Sequence, residues 1–323
     1  MQRCALLGKR GRIVLPPPAF RRSSRLTEAS LIEPRPAPAR KDRIPLGIAY
    51  MLGATVLFQG SGAAAKLMTE QYPVGEILFL RSVVGLLVCS LFILPATGFA
   101  VFRTERFGQH VARGAAQTAA QFFILLAMSL MPLASAVAIN FSTPLWATLA
   151  AILIFRERVG GARWAALIAG FSGVLIISQP GVGAFQLASM YAVINAVLYG
   201  SVTAGVRGMT RTESAETLTM YQMWLITIFI VLLLPFGFVM PDWHDAAVMV
   251  GIGIAYAFGQ YWWTRALLLA PTSAVSPFYY FSLIWAIGLG YLVWGDVPTI
   301  SLLLGSVIVV GSGLFLLWRE ARR

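Results

Sequence analysis

The sequence predicts an all-α integral membrane protein with ten transmembrane helices, arranged as two inverted repeats of five helices each. Three observations lead to this fold class. Hydrophobic residues make up 58% of the chain and charged residues only 12%, whereas about a quarter of the residues in a soluble domain are charged. Apolar stretches recur at the roughly 20-residue length that crosses the hydrocarbon of a bilayer. The two halves of the chain also repeat a common spacing of residues.

Ten apolar stretches lie between polar, proline or glycine breaks. They are residues 44–66, 74–95, 108–130, 133–155, 163–179, 185–206, 217–238, 246–269, 272–294 and 299–318. Two of the breaks are short, at Met131-Pro132 and at Ala270-Pro271. We divide the chain there because proline cannot continue an uninterrupted helix. Without these divisions the sequence would have eight spans, two of them too long for one crossing.

Residues 1–43 form a basic segment ahead of the first span. Eleven lysines and arginines against three acidic residues give this segment +8 of the chain's net charge of +12. Because it contains too few apolar residues to bury, we predict a disordered cytoplasmic tail. A transit peptide and an over-extended start remain alternatives. Aromatic residues do not interleave with its arginines beyond Phe20, so no nucleic-acid partner is expected.

Loop charges predict the orientation, since lysine and arginine favour the cytoplasmic side. With the N-terminus inside, the predicted inner loops and the C-terminal residues 319–323 carry Arg103, Arg106, Arg156, Arg158, Arg163, Arg207, Arg211, Arg319, Arg322 and Arg323. The predicted outer loops carry Asp242, Asp245 and Asp296. Both termini are therefore predicted to be cytoplasmic.

The internal repeat divides the chain into residues 44–179 and residues 185–318. At an offset of 139 residues, several side chains recur: Gln121 and Gln260, Pro132 and Pro271, and Trp146 and Trp285. Because each half has an odd number of spans, the second half must enter the membrane upside down. Inverted repeats are an architecture of secondary transporters, which expose a central site alternately to each side. We therefore predict a multi-pass transporter of a small organic metabolite.

Short motifs in the first half strengthen this prediction. They are Pro132-Leu-Ala-Ser-Ala-Val-Ala, Ser142-Thr-Pro-Leu-Trp, Phe155-Arg-Glu-Arg-Val and Gly170-Phe-Ser-Gly-Val-Leu. This series closely resembles the EamA-type repeat of the drug/metabolite transporter superfamily, and the resemblance covers residues 44–318. The second half is a more divergent copy, with Gly295-Asp296-Val297-Pro298 where a Gly-Glu-Arg is usual. The resemblance implies ten helices around a central cavity.

The same resemblance implies a cargo such as an amino acid, a vitamin or a nucleotide-like solute. The stretch from Lys66 through Tyr72-Pro-Val-Gly-Glu76 to Arg81 is similar to a subset of the superfamily that includes S-adenosylmethionine uptake carriers. The expected location is the bacterial inner membrane, with the lipid bilayer and the small-molecule substrate as partners. The sequence leaves the oligomeric state open, a homodimer included.

Polar side chains inside the spans are the candidate substrate-binding residues, because facing lipid would be costly for them. Residues four apart share one face of a helix, and three such stripes occur: Gln117 and Gln121 in the third span, Tyr191, Asn195 and Tyr199 in the sixth, and Tyr256 and Gln260 in the eighth. Such stripes could line a cavity with donors and acceptors between apolar walls. Alternatively, they hold helices together by hydrogen bonds.

Two further candidates lie near prolines within spans. Asn140 precedes Pro144 in the fourth span, and Tyr280 follows Pro277 in the ninth. A proline frees a backbone carbonyl of the helix, and broken helices expose polar backbone in membranes only where it lines a cavity or is buried in protein. We therefore add Asn140 and Tyr280 to the predicted binding set.

Charged residues near the predicted outer face complete the set with Lys66 and Arg81. For Arg81 two interpretations stay open: an ion pair with Glu76 or Glu70, or an anchor for a carboxylate or phosphate of the substrate. Arg113 and Arg265 lie near predicted inner ends, where such side chains are expected to extend toward water.

Other function classes find little support in the sequence. No His-Glu-x-x-His or Gly-x-Ser-x-Gly motif occurs, which argues against an intramembrane enzyme. The two cysteines, Cys4 and Cys89, indicate neither a disulfide nor a metal site, and no cofactor is predicted. A membrane receptor or assembly protein that has kept the fold without transporting anything remains the main alternative.

Overall fold

The computed structural model describes residues 43–155, 160–179, 183–209, 213–232, 234, 237–270 and 272–321. The described residues belong to one compact unit, Asp42–Arg323. Their regular structure is helical throughout, with no strand in these ranges, so the predicted all-α fold class is confirmed for this part of the chain. The predicted tail up to residue 42 and the loop at Arg156 and Arg158 lie outside the described residues.

The described residues contain twelve α-helices. In chain order they are α1 (Ile44–Met68), α2 (Val74–Thr97), α3 (Phe107–Leu130), α4 (Leu133–Asn140), α5 (Thr143–Phe155), α6 (Gly161–Ser178), α7 (Gly183–Met209), α8 (Ala215–Val231), α9 (Trp243–Leu269), α10 (Thr272–Tyr279), α11 (Ser282–Trp294) and α12 (Ile300–Ala321). A short 3₁₀ helix, Gly98–Phe102, follows α2. Each predicted span corresponds to one of these helices or to a consecutive pair.

The consecutive pairs are α4 with α5 and α10 with α11. In the first pair the helix is interrupted after Asn140, where the Ser142 amide bonds the Ile139 carbonyl in a tight turn at 3.0 Å. In the second pair the interruption follows Tyr279, and the Phe281 amide bonds the Phe278 carbonyl at 3.2 Å. Both breaks lie at corresponding places in the two halves of the chain, so each half has one broken helix.

One helix boundary differs clearly from the prediction. The span predicted at residues 217–238 ends as a helix at Val231. The cause is local, since a proline at position 235 disfavours the helical conformation in the residue before it. The chain from residue 237 to 242 then runs without helix to α9, which begins at Trp243.

Helices of the first half pack on helices of the second half in matched pairs. Helix α1 packs along α9, and α7 packs along α3. Helix α2 contacts α9, and α8 contacts α3 in the same way. If α1 to α6 correspond in order to α7 to α12, the α1–α9 contact is the counterpart of the α7–α3 contact. In the same way, the α2–α9 contact is the counterpart of the α8–α3 contact. The two halves therefore interleave, which brings α2, α3, α7, α8 and α9 around one region of the bundle.

Small residues allow α6 and α12 to approach each other closely. A Cβ added to Gly173 of α6 would lie 2.9 Å from the carbonyl oxygen of Gly305 in α12, and one on Gly305 would lie 2.7 Å from the Gly173 carbonyl. Both distances are shorter than real Cβ contacts allow, so no other residue fits without moving the backbones. Close approach through small residues is typical of helices that associate in lipid.

Six helical segments of the described chain are long and apolar enough to cross a membrane. They are Ile44–Met68, Val74–Phe102, Phe107–Leu130, Leu133–Ala150, Gly161–Ser178 and Pro277–Trp294. Leu187–Val202, Glu216–Val231 and Ile300–Leu316 are shorter apolar helices. Many large apolar side chains are also exposed, among them Leu91, Leu153 and Val307. The chain is therefore a multi-pass membrane protein.

Candidate substrate-binding site

Polar side chains from five helices come together within the bundle. We call this group the central polar cluster; its members are Arg81 of α2, Gln117 and Gln121 of α3, Tyr199 of α7, Tyr256 of α9, and Tyr279 at the end of α10. Five of the six come from the packed helices of the interleaved halves, and the sixth lies at a helix break. All but Tyr279 belong to the binding set predicted from the sequence.

Arg81 connects three helices of this cluster. It lies seven residues into α2, about 10 Å along the helix axis. Its guanidinium donates a hydrogen bond to the side-chain oxygen of Gln121 and lies over the Tyr256 ring, 4.5 Å from the ring centre. A cation over the face of an aromatic ring is attracted by the ring's electrons.

The ion pair considered for Arg81 is not formed. No described carboxylate is a partner of Arg81. Glu76 is fully buried, and its Oε2 instead accepts a hydrogen bond from the Val239 amide at 3.0 Å. The reason lies in helix geometry, because residues five apart point to different sides of an α-helix. The interpretation of Arg81 as half of an outer ion pair is therefore wrong for the described structure.

Two glutamines of α3 hold polar groups that lack partners. Gln121 is 9% exposed, and its Nε2 is buried without a hydrogen bond among the described residues. Gln117, one turn away, is 3% exposed, and its Oε1 is likewise without a partner. Because Arg81 can only donate, Gln121 must turn its oxygen to the guanidinium and leave its amide nitrogen free. A buried polar group without a partner costs stability, which favours a ligand that satisfies it.

Three tyrosine hydroxyl groups extend the cluster. Tyr199 interacts electrostatically with Tyr256 and Tyr279, and Tyr256 interacts with Arg81. The Tyr256 ring also contacts Phe58 of α1, with ring centres 5.8 Å apart. The tyrosines thereby place aromatic surface and hydroxyl groups beside the guanidinium, a combination suited to a planar solute with polar substituents.

Arg113, one helical turn before Gln117, connects α3 to α8. Its guanidinium donates to the Leu218 carbonyl at 3.2 Å and to Gln222 Oε1 at 2.5 Å. The expectation that this side chain simply extends toward water is therefore wrong, because two of its donors are held by a neighbouring helix. It also interacts electrostatically with Tyr199, so that a second cation lies near the cluster.

Asn140 and Asn195 form a separate polar pair. The Asn195 amide donates to Asn140 Oδ1 at 2.7 Å. The Thr143 hydroxyl bonds the Asn140 carbonyl at 2.6 Å, across the break between α4 and α5. The structure therefore brings these two predicted residues together, in a contact that joins α7 to the broken helix.

The remaining predicted residues lie around the cluster or away from it. Tyr191 stacks on Phe123 of α3, with ring centres 5.8 Å apart. The Tyr280 ring contacts Phe141, and its hydroxyl is so close to Gly313 that a Cβ there would clash; it faces α12. Gln260 is half-buried and has no side-chain hydrogen bond among the described residues. At the second helix break, Tyr279 is the tyrosine that interacts electrostatically with Tyr256.

Lys66 lies at another part of the molecule, near the ends of α1, α3 and α11. Its Nζ donates to the Met131 carbonyl at 2.8 Å, just past the end of α3. It also lies 4.6 Å from the centre of the Trp294 ring and interacts electrostatically with Asp296. A cation at a helix C-terminus is favoured by the helix dipole. These contacts make Lys66 a capping residue in the described structure, whereas its predicted role in binding remains untested.

The same end of the bundle has a small pocket with a cavity volume of about 30 Å³. Its lining includes Pro132, Ser135, Asp296 and Thr299, and Asp296 Oδ2 is buried without a hydrogen bond among the described residues. In the loop between α1 and α2, the Tyr72 hydroxyl donates to Asp245 Oδ2 at 2.6 Å, a bond that raises the pKa of the Tyr72 phenol. The cluster around Arg81 contributes no residue to this pocket.

Sequence reasoning missed two buried glutamines. Gln59 of α1 is 8% exposed, and its Oε1 has no partner in the described structure. Gln222 of α8 accepts from Arg113. Both are buried polar residues in largely apolar helices, and that property could have identified them. A row of polar residues spaced by four does not find Gln222, because Leu218 and Ile226 are apolar, whereas Thr55 and Gln59 form a short row in α1 that the sequence analysis left out.

Comparison with known proteins identifies the family. The EamA-like transporter family matches the chain twice, at residues 45–179 and 186–318. A riboflavin transporter of Rhizobium johnstonii is 30% identical over 284 residues, which cover 87% of this chain and 94% of that protein. An S-adenosylmethionine uptake transporter of Rickettsia prowazekii is 21% identical over 277 residues, covering 85% and 94% of the two chains.

A solved crystal structure shares the fold. It is 20% identical in sequence, covers 86% of this chain and 98% of its own, and superposes with a TM-score of 0.59. Together with the all-helical bundle and its apolar spans, these matches confirm the resemblance drawn from the motifs around Pro132 and Gly170. The chain belongs to the EamA-like transporter family, within the drug/metabolite transporter superfamily.

Proposed function

We propose that this protein is a secondary transporter that moves a vitamin or nucleotide-like metabolite across the bacterial inner membrane by alternating access. The observation that carries the proposal is the central polar cluster, in which Arg81 and Gln121 keep unsatisfied donors inside the span region. A protein that only packed helices together would be expected to pair these groups. Riboflavin and S-adenosylmethionine, the solutes named for the relatives, are the first compounds to test.

The proposed topology has ten crossings, with α4–α5 and α10–α11 each counted as one broken span. It has five crossings in each half, both termini in the cytoplasm, and the second half inverted. The matched packing of α1 on α9 and of α7 on α3 supports this arrangement. Broken helices at corresponding positions support it further, since such helices are typical of transporter sites at the repeat interface.

Cysteine labelling tests the topology directly. In a background with Cys4 and Cys89 replaced, single cysteines at Arg156 and at Asp296 are expected to react from opposite sides of the membrane. A membrane-impermeant maleimide added to intact cells should label the Asp296→Cys variant and spare the Arg156→Cys variant until the cells are opened. Labelling of both positions from one side would contradict the inverted arrangement.

Flux in liposomes tests the transport function. Purified protein is reconstituted, and uptake of riboflavin, S-adenosylmethionine and a panel of amino acids is compared with protein-free vesicles. Saturable uptake of at least one solute is expected. Specific binding with no uptake across the panel would favour the non-transporting receptor.

Substitution tests the proposed site. Gln121→Leu removes the acceptor of Arg81, and we expect uptake to fall by about tenfold or more while membrane abundance is unchanged. Gln260→Leu should have a smaller effect, because Gln260 is half-buried and makes no described side-chain hydrogen bond. Equal and normal uptake by both variants would remove the α3 and α9 glutamines from the site.

A further inference from the structure

We infer that the cargo carries an anionic group, a carboxylate or a phosphate, and that Arg81 binds it. This inference rests on the proposed transport function and adds the charge of the substrate to it. The starting point is a charge that the described structure leaves uncompensated. Arg81 is half-buried seven residues into α2, and its contacts are a neutral amide oxygen and the face of an aromatic ring.

No acidic residue of the described helices could provide the missing charge. Glu76, Glu216 and Asp245 lie in the first turns of α2, α8 and α9, Asp296 follows the end of α11, and Glu320 lies in the last turn of α12. Arg113, which interacts electrostatically with Tyr199, adds a second positive charge near the cluster. The cluster therefore contains the uncompensated positive charge of Arg81, and the charge of Arg113 lies near it. Such a region attracts anions and disfavours cations.

The donors of the cluster fit an anion. One guanidinium nitrogen is bonded to Gln121, and the other N–H groups of Arg81 have no described partner. Beside them, the buried Nε2 of Gln121, in a side chain 9% exposed, also lacks an acceptor. Two neighbouring donors without acceptors match the two oxygens of a carboxylate or phosphate, which the planar guanidinium binds in a forked geometry.

Arg113 is not the residue that binds the anionic group of the cargo. Its donors already bond the Leu218 carbonyl and Gln222, so it adds charge but few free donors. Gln117 favours a hydrogen-bond donor on the cargo. Its buried, unpaired Oε1, one helical turn before Gln121, would accept a hydrogen bond from a hydroxyl or an amide N–H. The expected cargo thus has an anionic end at Arg81 and a hydrogen-bond donor near Gln117.

A matched set of flavins tests the charge preference by intrinsic fluorescence. The probes are riboflavin, which is neutral, riboflavin 5′-phosphate, and an isoalloxazine with a carboxymethyl group at N10. Each is titrated against the purified full-length chain at low salt. We expect at least one anion to bind about tenfold more tightly than riboflavin, as a charge-assisted hydrogen bond would provide. The better of the two anions then distinguishes phosphate from carboxylate as the natural group.

Substitutions test whether Arg81 causes the preference for anionic flavins. In Arg81→Gln the three affinities should fall within about twofold of one another, whereas Arg81→Lys should keep part of the preference because it keeps the charge without the fork. Arg265→Gln is the control, since it removes a helical cation that lies over Tyr261 outside the cluster. Gel filtration and melting of each variant establish that it is folded.

Several results would overturn the inference. These are riboflavin binding as tightly as both anions, no binding of any probe, or an anion preference that survives in Arg81→Gln. Uptake measurements in liposomes distinguish failure of this inference from failure of the transport proposal. Saturable uptake of any solute without a charge preference removes the anion site alone, while absence of flux for the whole panel removes the transport function itself.

Discussion

Asn195 Nδ2 donates a hydrogen bond to Asn140 Oδ1 at 2.7 Å and thereby ties α7 to the end of α4. Asn195 is buried, and Asn140 is the last residue before the helix is interrupted. The Thr143 hydroxyl holds the Asn140 carbonyl on the far side of the break. The break is therefore fixed by side chains from three helices, and a rearrangement of α7 must disturb it.

The first prediction concerns this pair. Asn195→Ala and Asn140→Ala should each lower stability by about 1 kcal/mol, the usual size of a hydrogen bond between membrane helices. Because both variants remove the same bond, the double variant should be little worse than the worse single variant. Thermal unfolding in detergent measures all three. Strictly additive losses would show that the two residues act independently.

The second prediction supplies Arg81 with an internal anion. Gln121→Glu should form an ion pair with the guanidinium and compete with the cargo. Uptake should fall by about tenfold or more, while the apparent melting temperature stays the same or rises, since an unpaired buried charge becomes paired. Gln109→Glu adds the same charge on the exposed first turn of α3 and should transport normally. Normal uptake by Gln121→Glu would exclude the Arg81–Gln121 contact from the transport cycle.

The third prediction separates two adjacent tyrosines. Tyr279 interacts electrostatically with Tyr199 and Tyr256, whereas the Tyr280 hydroxyl lies against Gly313 of α12. Tyr279→Phe should therefore reduce the uptake of the cargo by roughly three- to tenfold, the value of one hydrogen bond, and Tyr280→Phe should change it by less than about twofold. Initial uptake rates in liposomes give the comparison. The opposite ranking would assign the binding role to Tyr280.

The fourth prediction concerns Lys66 as a helix cap. Lys66→Met removes the bond to the Met131 carbonyl and the charge at the end of α3, at a cost of about 1 kcal/mol. Lys66→Arg keeps the charge and a donor and should restore most of the stability. Melting in detergent reports the change for both. If Lys66→Met melts as the unmodified chain does but loses cargo binding, Lys66 belongs to the binding site after all.

The fifth prediction uses Cys89 as a reporter. Cys89 is 8% exposed and lies in the same buried group as Tyr256. In a Cys4→Ser background, a permeant maleimide should label Cys89 slowly, and a transported solute should slow the labelling further by occupying the cavity. Cys89→Ala provides the unlabelled control. A labelling rate that is independent of every transported solute would place Cys89 outside the path of the cargo.

The spacing of polar residues predicted three of the five helices that contribute to the cluster, but not how their side chains pair. Stripes spaced by four predicted Gln117, Gln121 and Tyr256 as inward-facing residues; the structure buries Gln117 and places Gln121 and Tyr256 against Arg81. A helix period determines which residues share a face. It does not determine the rotation or depth of that helix against its neighbours, and the choice between Glu76 and Gln121 as the partner of Arg81 depends on both.

The sequence by itself determined that the chain is an all-helical membrane protein of the EamA-like family, because apolar length and repeated motifs are local properties that survive without coordinates. Only the tertiary structure decided that Arg81 bonds Gln121 rather than a carboxylate, that Lys66 caps α3, and that Tyr279 rather than Tyr280 joins the cluster. These outcomes depend on how α1, α2, α3, α9 and α10 are packed, and long-range packing places residues far apart in the chain within bonding distance.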